Sequence, residues 1–294
     1  MRNKVINIID HLSNIKWDIV FYIKFLVDKN FRTILLRNKD LKGRHIGKRC
    51  FIVGNGPSLK KMDLSRLRDE ITITVNNIMN NQEIYNAVYA DYHVFIDPMY
   101  SSLESSKPQG ADTIELLKSI NYPDKQPACL VSYEGLSSYK KNGLVNHLNL
   151  YYLYQHRNML NRYSHSIDLT KNIPSSQNVT QAAIFSAIYM GFKEIYLIGC
   201  DMTSVFLTFE TNEDGERAIS KSFHAYQYNI NEEKTMLKNA NKHDNEYMLY
   251  DYAKTFTIFK RIRKYAEKND IKIFNATIGG GLDVFERVKY SSLF

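Results

Sequence analysis

Cysteine is scarce in this chain, and its positions argue against a structural role. Only three occur in 294 residues, Cys50, Cys129 and Cys200. They are too few and too far apart for a disulfide framework or a zinc site. Cys50 and Cys200 fall in strand-like runs, where a reduced cysteine is usually a small core residue. Together with the lack of a secretory signal pattern near the N-terminus, this predicts a cytoplasmic protein.

Long apolar runs are also missing. Residues 5–27 are rich in Ile, Val, Phe and Tyr, but two Asp and two Lys interrupt them. No run approaches the ~18 residues of a membrane-spanning helix. Residues 1–48 contain eleven Lys or Arg and four Asp, a net charge of +7 within a chain total of +8. The positive charge therefore belongs to an N-terminal arm, and the rest of the chain does not look like a nucleic-acid-binding body.

The arm allows two interpretations. Its apolar residues recur at roughly helical spacing and a basic stretch follows them, at 29–48. An amphipathic helix of this kind suits peripheral contact with the anionic inner face of the cell membrane. Alternatively, the arm packs on the main domain and its lysines are solvated.

The common nucleotide and metal motifs are absent. The sequence contains no GxGxxG fingerprint, no P-loop ending in GK[ST], no HExxH and no DxD triplet. Their absence argues against the enzyme classes that contain these motifs. No metal or other cofactor is predicted.

From residue 49 onward, short apolar runs alternate with helical patterns. Strands are predicted at 49–53, 71–75, 92–96, 129–131, 194–199 and 271–274, and helices at 59–67, 178–191 and 250–268. The alternation predicts an α/β, Rossmann-like, mostly parallel and doubly wound sheet. We expect a helical arm at 1–48 and a catalytic domain at 49–294, with a polar, lid-like insertion at 202–248.

A glycine turn follows the first predicted strand and gives the best functional signal. It reads Gly54-Asn55-Gly56-Pro57-Ser58. Glycines let a backbone approach a phosphate closely, and the Ser58 hydroxyl can donate a hydrogen bond. Other polar residues follow later strands, and ligands of parallel sheets bind at the carboxyl ends of the strands. The turn, Asn76, Asn77, Asp97 and the segment from Gly199 to Asp201 are therefore predicted to form one nucleotide site.

Two further features stay open on sequence alone. His224 lies among aromatic residues in the predicted insertion, where a histidine can act as a general base, and His243 is a similar candidate. Either could equally be a packed or surface histidine. Three consecutive glycines, 279–281, follow the last predicted strand and form either a second binding loop or a plain turn.

Several blocks resemble known families. FIVGNGPSLKKMDLSRL, the strand ending in Val75-Asn76-Asn77, and AAIFSAIYMGFKEIYLIGCDM resemble the bacterial sialyltransferases of glycosyltransferase family 42. They also resemble the MptE-like family, which includes motility-associated flagellin glycosyltransferases, and IKIFNATIGGGLDVF is more similar to this second group. The resemblance covers roughly residues 49–100 and 176–285.

The resemblance to family 42 implies a metal-independent enzyme with a CMP-activated sialic acid donor. It implies that Gly54, Asn55, Gly56 and Ser58 contact the donor phosphate and nucleotide, that Asn76 and Asp97 lie near the ribose or sugar, and that Asn178 and Thr180 contact the donor. The family's base is a histidine, for which His224 lies in the corresponding stretch. In family 42 the base lies nearer the following helix, and this favours His243. Thr203 stands where the family has a tyrosine.

The expected function is an inverting glycosyltransferase that moves a nonulosonic, sialic-acid-like or related sugar to a cell-surface glycan or lipid-linked glycan acceptor. Two alternatives remain. One is an MptE-like 6-hydroxymethylpterin diphosphokinase using ATP and magnesium, which Asp97, Asp201 and Asp283 could bind. The other is a non-catalytic scaffold of polysaccharide assembly.

Overall fold

The computed structural model describes residues 2–159, 166–203, 213, 224–225 and 242–294. The strands are β1 (Arg49–Val53), β2 (Thr72–Val75), β3 (Tyr92–Phe95), β4 (Ala128–Ser132), β5 (Asn149–Arg157), β6 (Asn172–Pro174), β7 (Glu194–Ile198), β8 (Lys272–Asn275) and β9 (Glu286–Arg287). The helices are α1 (Arg2–Val27), α2 (Lys29–Leu36), α3 (Gln82–Val88), α4 (Pro98–Ser101), α5 (Pro108–Lys118), α6 (Leu136–Lys141), α7 (Val179–Tyr189) and α8 (Asn245–Lys268). The insertion predicted at 202–248 lies largely outside the described residues.

All nine strands are parallel and form one sheet, in the order β6-β5-β4-β3-β2-β1-β7-β8-β9. Both faces of the sheet are covered. On β1, Cys50 and Ile52 point into one apolar cluster with α7, whereas Phe51 and Val53 point into a second cluster on the opposite face. The near-continuous apolar strands follow from this double coverage. The predicted α/β, doubly wound sheet is confirmed.

Helix α7 forms where the sequence predicts it, for identifiable reasons. The Asn178 side chain caps its N-terminus by accepting a hydrogen bond from the Thr180 N–H at 2.7 Å. Gly191 follows the helix with φ +89°, a backbone conformation that favours glycine. Almost every side chain between these ends is buried. The apolar 178–191 segment thus packs directly on the centre of the sheet.

Other elements differ from the prediction. The helix predicted at 59–67 is instead two 3₁₀ turns, Pro57–Lys61 and Leu64–Leu67. Between them, Asp63 accepts hydrogen bonds from the Ser65 N–H and hydroxyl, which replaces helical hydrogen bonding. Strands β5 and β6 were not predicted. They extend the sheet at the edge where the arm packs.

The arm contacts the body of the protein at this edge. Helix α1 runs along β5 and β6, and Phe21 and Phe31 are buried. The Arg157 guanidinium donates two hydrogen bonds of 2.7 Å to the Asp18 carboxylate, and Trp17 stacks on His156. One face of the arm is therefore packed, as the second interpretation expects. None of the described helices is both long and apolar enough to cross a bilayer.

Candidate functional site

The strand order reverses between β1 and β7. From β1 the chain builds the sheet outward to β6 and then returns to add β7 on the other side of β1. Such a switch point leaves a crevice at the carboxyl ends of the two strands, where ligands of open α/β sheets bind. A cleft of about 260 Å³ opens at this position.

The glycine turn after β1 is held against the loop after β7. The N–H groups of Gly54 and Gly56 donate hydrogen bonds of 2.8 Å to the carbonyls of Ile198 and Gly199. A Cβ on Gly56 would lie 1.6 Å from Asp201 Oδ2, and one on Gly54 would lie 2.3 Å from the Gly199 oxygen. Both positions therefore require glycine because the two loops touch. Since these two amides bind carbonyls at the end of β7 and in the loop after it, a phosphate in the cleft needs other donors.

Asp201 is fixed beneath the turn. Its carboxylate accepts a hydrogen bond of 2.8 Å from the Ser58 hydroxyl, and both side chains are buried. Burial raises the pKa of Asp201, which the Ser58 hydrogen bonds oppose. The glycines at 279–281 pack here too, because the Gly281 N–H donates to the Asp201 carbonyl at 2.6 Å.

Asn76 and Asp97 form a second polar pair, at the ends of β2 and β3. The Asn76 side-chain amide donates to Asp97 Oδ2 at 2.5 Å. Asn76 has φ +44°, a strained conformation for a residue with a side chain. Burial raises the pKa of Asp97 to about 6.

Buried His93 supports the strained backbone of Asn76. Its Nε2–H donates to the Asn76 carbonyl at 2.8 Å, which leaves Nδ1 to accept from the Thr74 hydroxyl at 2.8 Å. Burial lowers the pKa of His93 to about 3, so the ring is neutral. This role was not predicted, although a histidine inside an otherwise apolar strand is a usable signal.

The N-terminus of α7 supplies the positive end of a helix dipole. Asn178, Val179 and Thr180 line the cleft at this end of the helix. A helix N-terminus favours anions through its dipole and its free N–H groups. Asn55 and Asn76 line the same cleft, and the Oδ1 atom of each is buried without a hydrogen-bond partner among the described residues. Such atoms are available to a hydroxyl or amino group of a ligand.

His224 also lines the cleft. The next residue fixes it there, because the Ala225 N–H donates to the Asn55 carbonyl at 2.7 Å and the Asn81 side chain donates to the Ala225 carbonyl at 3.1 Å. Burial lowers the pKa of His224 to about 4. The imidazole is consequently neutral at pH 7 and can accept a proton.

His243 lies elsewhere. Its exposed ring stacks on Tyr247, with ring centroids 3.8 Å apart, beside the N-terminus of α8. The residues that line the cleft do not include it.

Most of the predicted site residues therefore line one cleft: Gly54, Asn55, Gly56, Asn76, Asp97, Asn178, Thr180, Gly199, Cys200, Asp201 and His224. Ser58 supports it through its hydrogen bond to Asp201, whereas Asn77 lines a different cavity and His243 lies outside the cleft. The roles assigned to these residues stay predictions. Phe259 of α8 and Leu282 line the cleft without having been predicted, because apolar residues carry no signal that separates a pocket wall from the core.

The carboxylates near the cleft decide whether it could bind a metal ion. Asp97 and Asp201 face the cleft, each hydrogen-bonded to a neighbour, whereas Asp283 is exposed and does not line it. Over the described ranges, no group of three or more His, Cys, Asp or Glu side chains is arranged to hold a metal ion.

The chain is similar to one protein family and to several solved structures. Residues 26–205 match the family model described as 6-hydroxymethylpterin diphosphokinase MptE-like. No curated protein matches the chain.

Among solved structures, the sialyltransferase CstII from Campylobacter jejuni in complex with cytidine-5'-monophosphate is 18% identical. The match covers 83% of this chain and 85% of that one, with a TM-score of 0.42. The same enzyme with CMP-3FNeuAc is 17% identical over 82% and 86% of the chains, with a TM-score of 0.42. A Cst-II complex with trisaccharide acceptor and CMP is 18% identical over 78% and 80%, with a TM-score of 0.40.

Proposed function

The chain belongs to the MptE-like family, and from this premise we propose that it is a transferase that binds a nucleotide-activated donor between β1 and β7. The observation that carries the proposal is the arrangement at the switch point. A glycine turn fixed to the β7 loop, the N-terminus of α7 and a neutral histidine surround one polar cleft.

The donor we propose is a CMP-activated nonulosonic acid, sialic-acid-like or related. The support is the sequence resemblance to family 42 in the glycine turn and in residues 182–202, both of which contribute walls of the cleft. The nucleotide phosphate would lie at the α7 N-terminus, where the dipole favours negative charge. Asn76 and Asp97 would contact the ribose or sugar.

The reaction would be an inverting, metal-independent transfer to a cell-surface glycan or lipid-linked glycan. Neutral His224 would take the proton of the acceptor hydroxyl as its oxygen attacks the anomeric carbon. The bond from that carbon to the phosphate oxygen breaks, and CMP leaves. The α7 N-terminus stabilises the charge that develops on the departing phosphate. The approach of an anionic donor also raises the pKa of His224, which makes it a stronger base.

The direct test is CMP release from CMP-sialic acid and related CMP-sugars, with and without a glycan acceptor. We expect acceptor-dependent CMP release in the wild type, and release reduced ~10²–10⁴-fold in His224→Asn. Release that is absent with all CMP-sugars, although the protein binds ATP, would refute it. Nucleotide binding without any turnover would favour the scaffold alternative.

A second candidate follows from the description of the matching family. A 6-hydroxymethylpterin diphosphokinase would transfer pyrophosphate from ATP to a pterin and would use magnesium. The sequence offers Asp97, Asp201 and Asp283 as magnesium ligands. Only the first two line the cleft, and both already accept hydrogen bonds from neighbouring side chains. Magnesium-dependent ATP binding with formation of AMP would select this candidate.

A further inference from the structure

Helix α1 has two apolar faces on opposite sides. The first contains Trp17, Phe21 and Phe25 and packs against the domain. The second faces solvent, and its side chains are between 43% and 73% exposed: Leu12, Ile15, Ile19, Tyr22, Ile23 and Leu26. We call this second face the α1 stripe. Its members are three or four residues apart or adjacent, which places them on one side of the helix.

The α1 stripe is too continuous to be incidental. Single exposed apolar side chains are normal on a protein surface, whereas contiguous apolar patches mark interaction sites. The stripe spans 15 residues, from Leu12 to Leu26, or about 22 Å of helix. No charged side chain interrupts it, because Asp18 lies on the packed face in its ion pair with Arg157.

The charge around the α1 stripe indicates what covers it. Exposed Lys16 borders it, and exposed Lys29 follows its C-terminal end. The whole arm has a net charge of +7. An apolar helical face with flanking lysines inserts into the headgroup region of a bilayer, and anionic lipids strengthen the contact. We propose that the α1 stripe binds the surface of an anionic lipid bilayer, with α1 lying in the plane of the interface.

Because the opposite face of α1 is fixed to the domain, binding of the α1 stripe to a bilayer would also orient the domain. Asn14 exchanges hydrogen bonds with the backbone of Asn158 at 2.6 and 3.1 Å, and Asp18 binds Arg157. Both anchors are at the carboxyl end of β5, which is the edge of the sheet that bears the cleft. Four strand spacings separate β5 from β1. The cleft therefore lies ~19 Å from these two anchors, measured along that edge of the sheet. The inference concerns lipid binding alone and stands whether or not the proposed transfer reaction is correct.

The experiment is co-sedimentation of the full chain with phosphatidylcholine vesicles that contain or lack phosphatidylglycerol. We expect binding to the anionic vesicles that weakens as salt increases. Substituting two exposed residues, Ile19→Asn with Ile23→Asn, should weaken it at least ~10-fold, because two apolar side chains no longer enter the interface. Ile46→Asn is the matched control, since Ile46 is 78% exposed but is not on α1. It should bind like the wild type.

A second pair, Leu12→Asn with Leu26→Asn, repeats the test at the ends of the α1 stripe and should give the same loss. Equal vesicle binding by either folded pair and the wild type would overturn the proposal, as would a wild type that binds neither vesicle. Sedimentation velocity without lipid measures the oligomeric state and can also overturn the proposal. A wild-type dimer that the Ile19→Asn, Ile23→Asn pair converts to a monomer would assign the stripe to a second copy of the chain.

Discussion

Gly56 and Asp201 are 145 positions apart in the sequence, yet a methyl group on Gly56 would stand 1.6 Å from the Asp201 carboxylate. This contact joins the turn after β1 to the loop after β7, the two strands at which the sheet changes direction. The glycine is therefore required by the meeting of two loops. The contact fixes two loops that both line the cleft.

Gly56→Ala should damage both the fold and the site. The added carbon overlaps buried Asp201, which cannot move without losing its hydrogen bond to Ser58. Overpacking of this kind costs about 1–3 kcal/mol. Urea unfolding should report the lower stability, and calorimetric titration the loss of nucleotide affinity. Gly143→Ala is the control, because its Cβ meets nothing within 4 Å. Backbone strain at φ +69° should then cost it about 1–2 kcal/mol, with nucleotide affinity retained.

His224 and His243 can be separated by substitution. His224→Asn should reduce turnover ~10²–10⁴-fold and leave CMP affinity within a few-fold of the wild type, since it removes a proton acceptor. His243→Asn should leave turnover unchanged, because that ring is exposed and stacked on Tyr247 outside the cleft. Steady-state kinetics with a CMP-sugar donor measures both. The reverse pattern would assign the base to His243.

The pH profile gives an independent check on the base. Burial lowers the pKa of His224 to about 4, so the free enzyme retains a neutral base well below pH 6. We expect kcat/KM to stay level as pH falls from 8 to about 5 and to decline only near pH 4. An acid limb near ~6.5, the ordinary value for an imidazole, would contradict the assignment of His224.

Asp97 should make stability depend on pH in a defined sense. Its pKa is about 6 in the folded chain and about 3.9 when unfolded, so the folded state binds the proton more tightly. This contribution to stability is complete below about pH 4 and is lost as pH rises to 6. The wild type should therefore lose stability relative to Asp97→Asn across that interval. Urea unfolding of both proteins at several pH values tests this, and a constant difference would contradict it.

The ion pair between Asp18 and Arg157 should anchor the arm. Its side chains are only 24% and 12% exposed, and two hydrogen bonds of 2.7 Å join them. Asp18→Asn removes the carboxylate that accepts these two charge-assisted hydrogen bonds and should cost about 1.5–3 kcal/mol. Glu115→Gln, in the exposed pair with Lys118, should change stability by less than ~1 kcal/mol. Equal losses of unfolding free energy in the two variants would contradict the anchoring role.

Polar residues at strand ends could be predicted because parallel strands bring their carboxyl ends to one edge. Asn76 and Asp97 are 21 positions apart and still form a hydrogen bond. The sequence could not show that the glycine amides bind backbone carbonyls, because this depends on which strand lies beside β1. The return of the chain to β7 fixes that neighbour, and only the tertiary structure reveals it.

Strand β5 escaped prediction for a different reason. Its sequence, Asn149–Arg157, is rich in tyrosine and ends in Gln, His and Arg. These polar residues at its end fit neither the alternating nor the fully apolar pattern of a strand. The polar end is explained by the arm, whose Trp17 and Asp18 cover His156 and Arg157. A contact between two distant segments thus determines residue types that local patterns cannot explain.

Calorimetric titration of the wild type with CMP, and separately with ATP and magnesium, distinguishes a CMP-sugar transferase from a diphosphokinase. We expect CMP to bind at one site and Gly56→Ala to abolish this binding, whereas Gly143→Ala should retain it. Tight binding of ATP with magnesium and no binding of CMP would contradict this expectation and select the diphosphokinase.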